Sequence, residues 1–167
     1  MNWAGFKRAA PALARRAEKM FEKSGVILLG TIRKDGSPRI SPVEPLIDKG
    51  DLFLGMMWQS LKARDLLRDP RCTIHNAIRD RFAKDGEFKL HGRAKNVRDL
   101  CTRKRYCDAL YEKIKWKPRE PKFHLFTIDI RSAGLFTAAA DARVLKRWRA
   151  GGAIRVSRQT PETANPS

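Results

Sequence analysis

At 167 residues with a formal net charge of +18, the chain is long enough to bury one core and too short for a second domain. Hydrophobic residues make up 42% and charged residues 32%, a globular balance that excludes a disordered chain despite a mean hydropathy of -0.52. A pI near 10.6 favours anionic partners such as phosphorylated cofactors or nucleic acid, and no apolar run reaches the roughly 18 residues of a membrane span.

Cys72, Cys101 and Cys107 are odd in number and form no CxxC pair, which points away from a disulfide framework or a zinc site and toward the cytoplasm. His75, His91 and His124 lack HxH or HxxxH spacing, so no metal site is expected. The stretch Lys7 to Arg16 is basic and free of acids, as in a transit peptide. Pro11 followed by Leu13, Ala17, Met20 and Phe21 nevertheless reads better as an amphipathic entry helix ending at Ser24-Gly25.

The apolar run from Val26 to Arg33 predicts a strand buried on both faces. Lys34-Asp35-Gly36-Ser37 then turns the chain back through a second strand, Arg39 to Glu44. Pro42 cannot donate to a ladder, so that strand belongs at an edge or a bulge. Asp48-Lys49-Gly50 leads into a third strand, Asp51 to Met57, completing an antiparallel meander. Ser60 stands at a helix N-cap, with Ala63, Leu66 and Leu67 on one face and Asp69-Pro70 as the stop. Lys62 and Arg64 occupy the first turn, where the helix dipole disfavours cations. A phosphate bound there would draw on the backbone N–H groups, the Ser60 hydroxyl and Lys62 together, whereas without one Ser60 is a plain cap and Lys62 a solvated charge.

Cys72 to Ile78 is a fourth strand, Arg79 to Lys84 a charged loop, and Glu87 to Val97 a half-exposed strand that bends at Gly92. Asp99 caps a helix with Leu100, Cys107, Leu110, Tyr111 and Ile114 on one face and Arg103, Lys104, Arg105 and Lys113 off it. Phe123 to Ile130 is a strand and Arg131 to Thr137 continues into another. After a weak turn at Ala138 to Ala142 comes Arg143 to Arg149, and Gly151-Gly152 closes a last hairpin to Ala153 through Val156. Six to eight antiparallel strands with helices after the third and fifth make a mainly β fold, a small β-barrel with helical additions. The expected division is an N-terminal helix over 1–24, the barrel over 25–158 and a disordered tail over 159–167.

The segments TIRKDGSPRISPVEP, FLGMMWQSLKARDLLRDPR and KLHGRAKNV resemble the pyridoxamine 5'-phosphate oxidase-like family of flavin-binding split barrels, closely over Gly25 to Val97 and more loosely beyond. The resemblance implies an antiparallel FMN-binding split barrel and a homodimer with its cofactor clefts at the subunit interface. In that family the segment opening the helix binds the FMN phosphate, which implies that role for Ser60, Lys62 and Ala63, while Leu61 stands where the family has arginine. The second strand lines the flavin ring, which implies contacts from Arg39, Ile40, Ser41, Pro42 and Val43, while Glu44 stands where the family has lysine. A late Trp, Gly-Gly and Arg correspond to Trp148, Gly151-Gly152 and Arg155, which the resemblance implies close the cleft, whereas Trp148 read by itself is a core or interface aromatic. Met56 and Met57 read as core filler, or as contacts to the cofactor through their backbone.

The function so implied is hydride transfer to or from a small molecule on FMN, with a deazaflavin as the alternative cofactor; other relatives bind haem. No dedicated acid or base is needed, because the cofactor ring carries the hydride. From another class, the charge, the Arg103 to Arg105 cluster and four tryptophans suit a nucleic-acid-binding or scaffold barrel. Against that reading, the cations are spread along the chain and no RNP-like aromatic pattern is present.

Overall fold

The computed structural model describes residues 1–78, 85–119, 121–138 and 142–160. The chain opens with two helices, α1 (Trp3–Ala9) and α2 (Pro11–Ser24). The Asn2 side chain accepts from the Gly5 N–H at 3.1 Å and so caps α1. Pro11 begins α2 at a position where its missing N–H costs nothing. Leu13, Ala17, Met20 and Phe21 are buried as their spacing predicts, and Gly25 closes α2 at φ 69 with its N–H on the Phe21 carbonyl.

Strands β1 (Ile27–Ile32), β2 (Pro38–Val43), β3 (Pro45–Asp48) and β4 (Asp51–Met57) follow, then α3 (Leu61–Arg68), β5 (Arg71–Asn76), β6 (Glu87–Asn96), α4 (Leu100–Ile114), β7 (Phe123–Ala138), β8 (Arg143–Arg149) and β9 (Arg155–Gln159). The sheet order is β2-β1-β5-β6-β7-β4-β3, with β8 and β9 branching from β7. Every pairing is antiparallel. Only Glu44 separates β2 from β3, yet these strands lie at opposite ends of that order. The sheet must therefore curl until its ends meet, and the expected antiparallel barrel with helical additions is what forms.

The details depart from expectation in three places. Nine strands are present among the described residues, because Pro45–Asp48, which the sequence reading leaves between strands, forms β3 against β4. The expected three-stranded meander is in fact two hairpins at opposite ends of the sheet. Phe123 to Ala138 is one strand of 16 residues, long enough to pair with β4 through one half and β8 through the other. Pro42 does lie on an edge, since β2 pairs with β1 alone. The expected loop at 79–84, the turn at 139–141 and the tail from 161 lie outside the described residues.

Inside the barrel, Trp3 and Phe6 of α1 and Phe21 of α2 pack with Phe88 and Trp148. Each such ring contributes about 2–3 kcal/mol by leaving water. On the outside, α4 covers β3, β4 and β7 with a second cluster of Leu46, Phe53, Tyr106, Cys107, Leu110, Phe123 and Leu125. The buried face of α4 is Arg103, Tyr106, Cys107 and Leu110, while Leu100, Tyr111 and Ile114 are exposed. Arg103, expected off that face, is admitted because its guanidinium donates to the Val97 and Phe123 carbonyls and lies 4.0 Å above the Phe123 ring.

Among the described residues no helix covers the outer face of β2, β1, β5 and β6. Strand β1 is accordingly buried on one face only, with Leu28 37% exposed on the other, contrary to the two-sided burial its apolar run suggests. No described helix is long and apolar enough to cross a membrane. At the expected bend, a Cβ on Gly92 would meet the Asp129 carbonyl oxygen at 2.7 Å, and the β6–β7 register shifts between His91 and Gly92.

Gly55 seats α4, because a Cβ there would lie 2.0 Å from the Tyr106 hydroxyl. Gly55→Ala is expected to destabilise the fold by about 1–3 kcal/mol in urea denaturation, with part of the loss recovered in the Gly55→Ala/Tyr106→Phe double variant. Strictly additive effects would contradict the contact.

Candidate functional site

The turn from β4 into α3 places the groups in question. The Ser60 N–H donates to the Met57 carbonyl at 3.1 Å, and Gln59 takes up a left-handed conformation with φ 57 to close that turn. Ser60 is the N-cap residue, as expected, but its hydroxyl makes no capping bond. Its Oγ is instead buried with no partner among the described residues. The N–H groups of Leu61, Lys62 and Ala63 have no carbonyl one turn earlier in α3 to receive them. No acid occupies this first turn.

Ala63 and Leu66 are buried, whereas Leu67, expected beside them, is 45% exposed. Asp65 turns inward with them instead and is only 4% exposed. One of its oxygens accepts from Thr31 Oγ1 at 3.0 Å and Arg39 Nε at 2.7 Å, and the other lies 3.4 Å from Arg68. Thr31 and Arg39 face each other across β1 and β2, so one carboxylate joins α3 to both strands of the hairpin. Burial pushes the Asp65 carboxyl upward, but the hydrogen bonds from Arg39 and Thr31 and the charge of Arg39 outweigh it and hold the group below its ordinary range. The Arg68 guanidinium also donates to the Ile32 carbonyl.

Lys62 reaches back to the edge strand, where its Nζ donates to the Pro42 carbonyl at 2.7 Å, and burial lowers its pKa. The structure thus brings Ser60, Lys62, Arg39 and Pro42 to one place, between the start of α3 and β2. Arg39 is ion-paired with Asp65. Ile40, 72% exposed, lies on the uncovered face of the sheet. Val43, Met56 and Ala63 have core side chains, so only their backbones can face a ligand, while Met57 is exposed and Ser41 half-buried. Trp148 packs on Phe6 inside the barrel with its Nε1 unpartnered, and Arg155 is exposed on β9.

Two further hollows flank this place. On the uncovered face, a groove of about 790 Å³ is lined by Leu28, Ile40, His75, His91, Arg71 and Arg93, among others. Beside the α3 turn, a hollow of about 290 Å³ is walled by Met57, Trp58, Tyr106 and Trp116, with Arg119 and Lys122 also lining it. Trp58 stacks on His124 at 4.6 Å, and burial together with the Arg103 charge lowers the His124 pKa. The sequence pattern does not reveal Asp65, Thr31 or His124 as partners. The one available signal is an acid set between the two apolar positions Ala63 and Leu66.

Residues 13–136 match a family model described as pyridoxamine 5'-phosphate oxidase. Among solved structures, ChuZ of Campylobacter jejuni superposes with a TM-score of 0.66, at 10% identity, over 84% of this chain and 61% of that one. General stress protein 26 of Bacillus anthracis gives 0.56 at 16% identity, over 72% and 91%. The haem-storage protein HutZ of Vibrio cholerae gives 0.56 at 17% identity, over 71% and 90%. At these identities the likeness is one of fold. No curated protein matches the chain.

Asp65→Asn is expected to cost about 1.5–3 kcal/mol, the range for hydrogen bonds to a charged group. Because the folded pKa of Asp65 lies below its unfolded value of about 3.9, the contribution is complete above that pH and is lost as pH falls through the folded pKa. Denaturation between pH 7 and pH 2 should therefore show an acid-side loss in the wild type that shrinks in the variant. Parallel curves would contradict the assignment.

Proposed function

The chain belongs to the pyridoxamine 5'-phosphate oxidase family, and on that premise we propose that it is a flavin-dependent oxidoreductase, holding the phosphate of FMN between β2 and the first turn of α3. The observation that carries this is the Ser60 hydroxyl, buried and unpartnered beside the free N–H groups that open a helix with no acid in its first turn. A phosphate there satisfies all of these donors at once and meets the favourable end of the helix dipole. When bound, the flavin supplies the ring that carries the hydride.

The residues of the chain bind and orient. Lys62, already desolvated, supplies the positive charge, and Asp65 keeps Arg39 and β2 in place behind it. The outer edge of β2 lacks a partner strand, so its backbone groups are available to the rim of a flat ring. Leu28 and Ile40 on the uncovered face give a second copy of the chain an apolar surface to bury, in keeping with the homodimer we propose. Hydride would pass between the flavin and a small organic molecule. The cytoplasm is the compartment we propose.

One observation favours a second reading. His75 and His91 line the groove on the uncovered face together with Arg71 and Arg93, a donor set suited to the iron and carboxylates of haem. The same fold occurs in a haem-storage protein.

Titration of the purified protein with FMN, followed by visible absorption, separates the two. Binding that weakens at least tenfold in Lys62→Ala, about 1.4 kcal/mol, is the expected result. No binding of FMN by the folded protein, with a Soret band from haemin that is lost in His75→Ala or His91→Ala, would overturn the flavin reading in favour of haem.

A further inference from the structure

Strands β8 and β9 form a two-stranded ribbon that extends the sheet beyond β7. From Arg143 to Gln159 the ribbon carries Arg143, Lys146, Arg147, Arg149, Arg155 and Arg158 and no acid. None of these cations forms an ion pair among the described residues.

Side chains alternate along a strand. Trp148 packs inward on Phe6, so Arg143, Arg147 and Arg149 stand on the outer face, where all three are exposed. Arg155 lies directly opposite Arg147, and like charges so placed destabilise a strand pair. The register carries the row further, from Arg147 to Gly134 of β7 and from Gly134 to Lys89 of β6. Lys89 is exposed on the same face. Glu87, at 3.5 Å from Lys89, offsets only that end of the row. Strand pairing thus gathers on one face cations that lie far apart in the chain.

A Cβ on Gly134 would come no nearer than 3.7 Å to a neighbour, the Lys146 carbonyl oxygen, and the residue is not left-handed. Nothing within the chain therefore requires glycine there. It leaves bare backbone between Arg147 and Lys89, the kind of opening through which another molecule approaches a sheet closely. Leu28 and Ile40, the side chains offered to a second copy, lie on β1 and β2 at the other end of the uncovered face.

The chemistry of the row selects its partner. Arginine forks suit phosphate, whereas a second copy carries the same charge of +18 and is repelled. An anionic bilayer calls for exposed apolar side chains among the cations, but Phe136 and Leu145 on this face are half-buried. Single-stranded bases need exposed rings to stack on, and the one ring of the ribbon, Trp148, is buried. A duplex needs neither, and its major groove admits a two-stranded ribbon. We infer that the outer face of β8 and β9, with Lys89 beside it, binds the phosphate backbone of double-stranded nucleic acid without reading its sequence.

The test is fluorescence anisotropy of a labelled duplex of arbitrary sequence, titrated with the protein between about 50 and 200 mM salt. Arg143→Gln/Arg147→Gln/Arg149→Gln should bind at least about tenfold more weakly than the wild type, with the log–log salt slope reduced by about 2–3. Lys104→Gln/Lys113→Gln/Lys117→Gln removes the same charge from exposed positions on the α4 side, and its affinity should stay within about threefold of the wild type. Arg155, which the family resemblance implies at the cofactor cleft, is kept in both. Relief of the Arg147 and Arg155 repulsion should hold the urea midpoint of the ribbon variant at or above that of the wild type. If the triple change unfolds the protein, Arg147→Gln alone, with about one unit of slope lost, gives the same reading. No duplex binding by the wild type, equal weakening by the two triple changes, or a slope untouched by the ribbon change overturns the inference. Binding to phosphatidylserine vesicles in place of the duplex also overturns it and assigns the face to a lipid surface.

Discussion

The arrangement at the α3 turn depends on one buried carboxylate. An ionised Asp65 inside the protein is tolerated only if its lone pairs are filled, and Thr31, Arg39 and Arg68 fill them. Because Thr31 and Arg39 are cross-strand partners, this single group fixes the helix against two strands and so sets where its N-terminus points. That terminus opens beside the edge strand, with Lys62 bridging the gap to the Pro42 carbonyl. Arg39 is thereby held by Asp65 beside the α3 turn.

The second constraint is topological. With one residue between β2 and β3, the sheet has to close on itself, and the edge that carries Pro42 is brought round near the start of α3. Helices α1 and α2 supply core to the inside and α4 covers the outer face of one half. The other half is left with Leu28 and Ile40 exposed above a long groove. An uncovered apolar face and a cationic cleft, between the β1–β2 turn and α3, lie on one small, highly charged chain.

Much of this was legible in the residues themselves. Gly25, Asp35-Gly36, Lys49-Gly50, Pro42 and Gly92 act locally, and each does in the structure what its backbone chemistry requires. Ser60 was legible as a helix start because a polar residue before an apolar 3–4 spacing has few other uses. What could not be read was pairing at a distance. Leu67 and Asp65 exchange the places that periodicity gives them, since periodicity values Asp by its charge and takes no account of Thr31 and Arg39 waiting on the hairpin. Arg103 is buried for the same reason, by carbonyls some 6 and 20 residues away. The single helix expected over 1–24 is in fact two, α1 and α2, broken at Ala10 because the following Pro11 pushes that residue out of the helical region. The split of the meander is hidden as well, because the four residues Pro45–Asp48 are too few to show as a strand, and only their pairing with β4 reveals them.

The most direct measurement is a crystal structure of the protein grown with FMN. A phosphate within hydrogen-bond distance of Ser60 Oγ and the first N–H groups of α3, with Asp65 still bound to Arg39, is the predicted result. A phosphate bound anywhere else, or a Ser60 hydroxyl left without a ligand partner while flavin occupies the protein, would contradict the account.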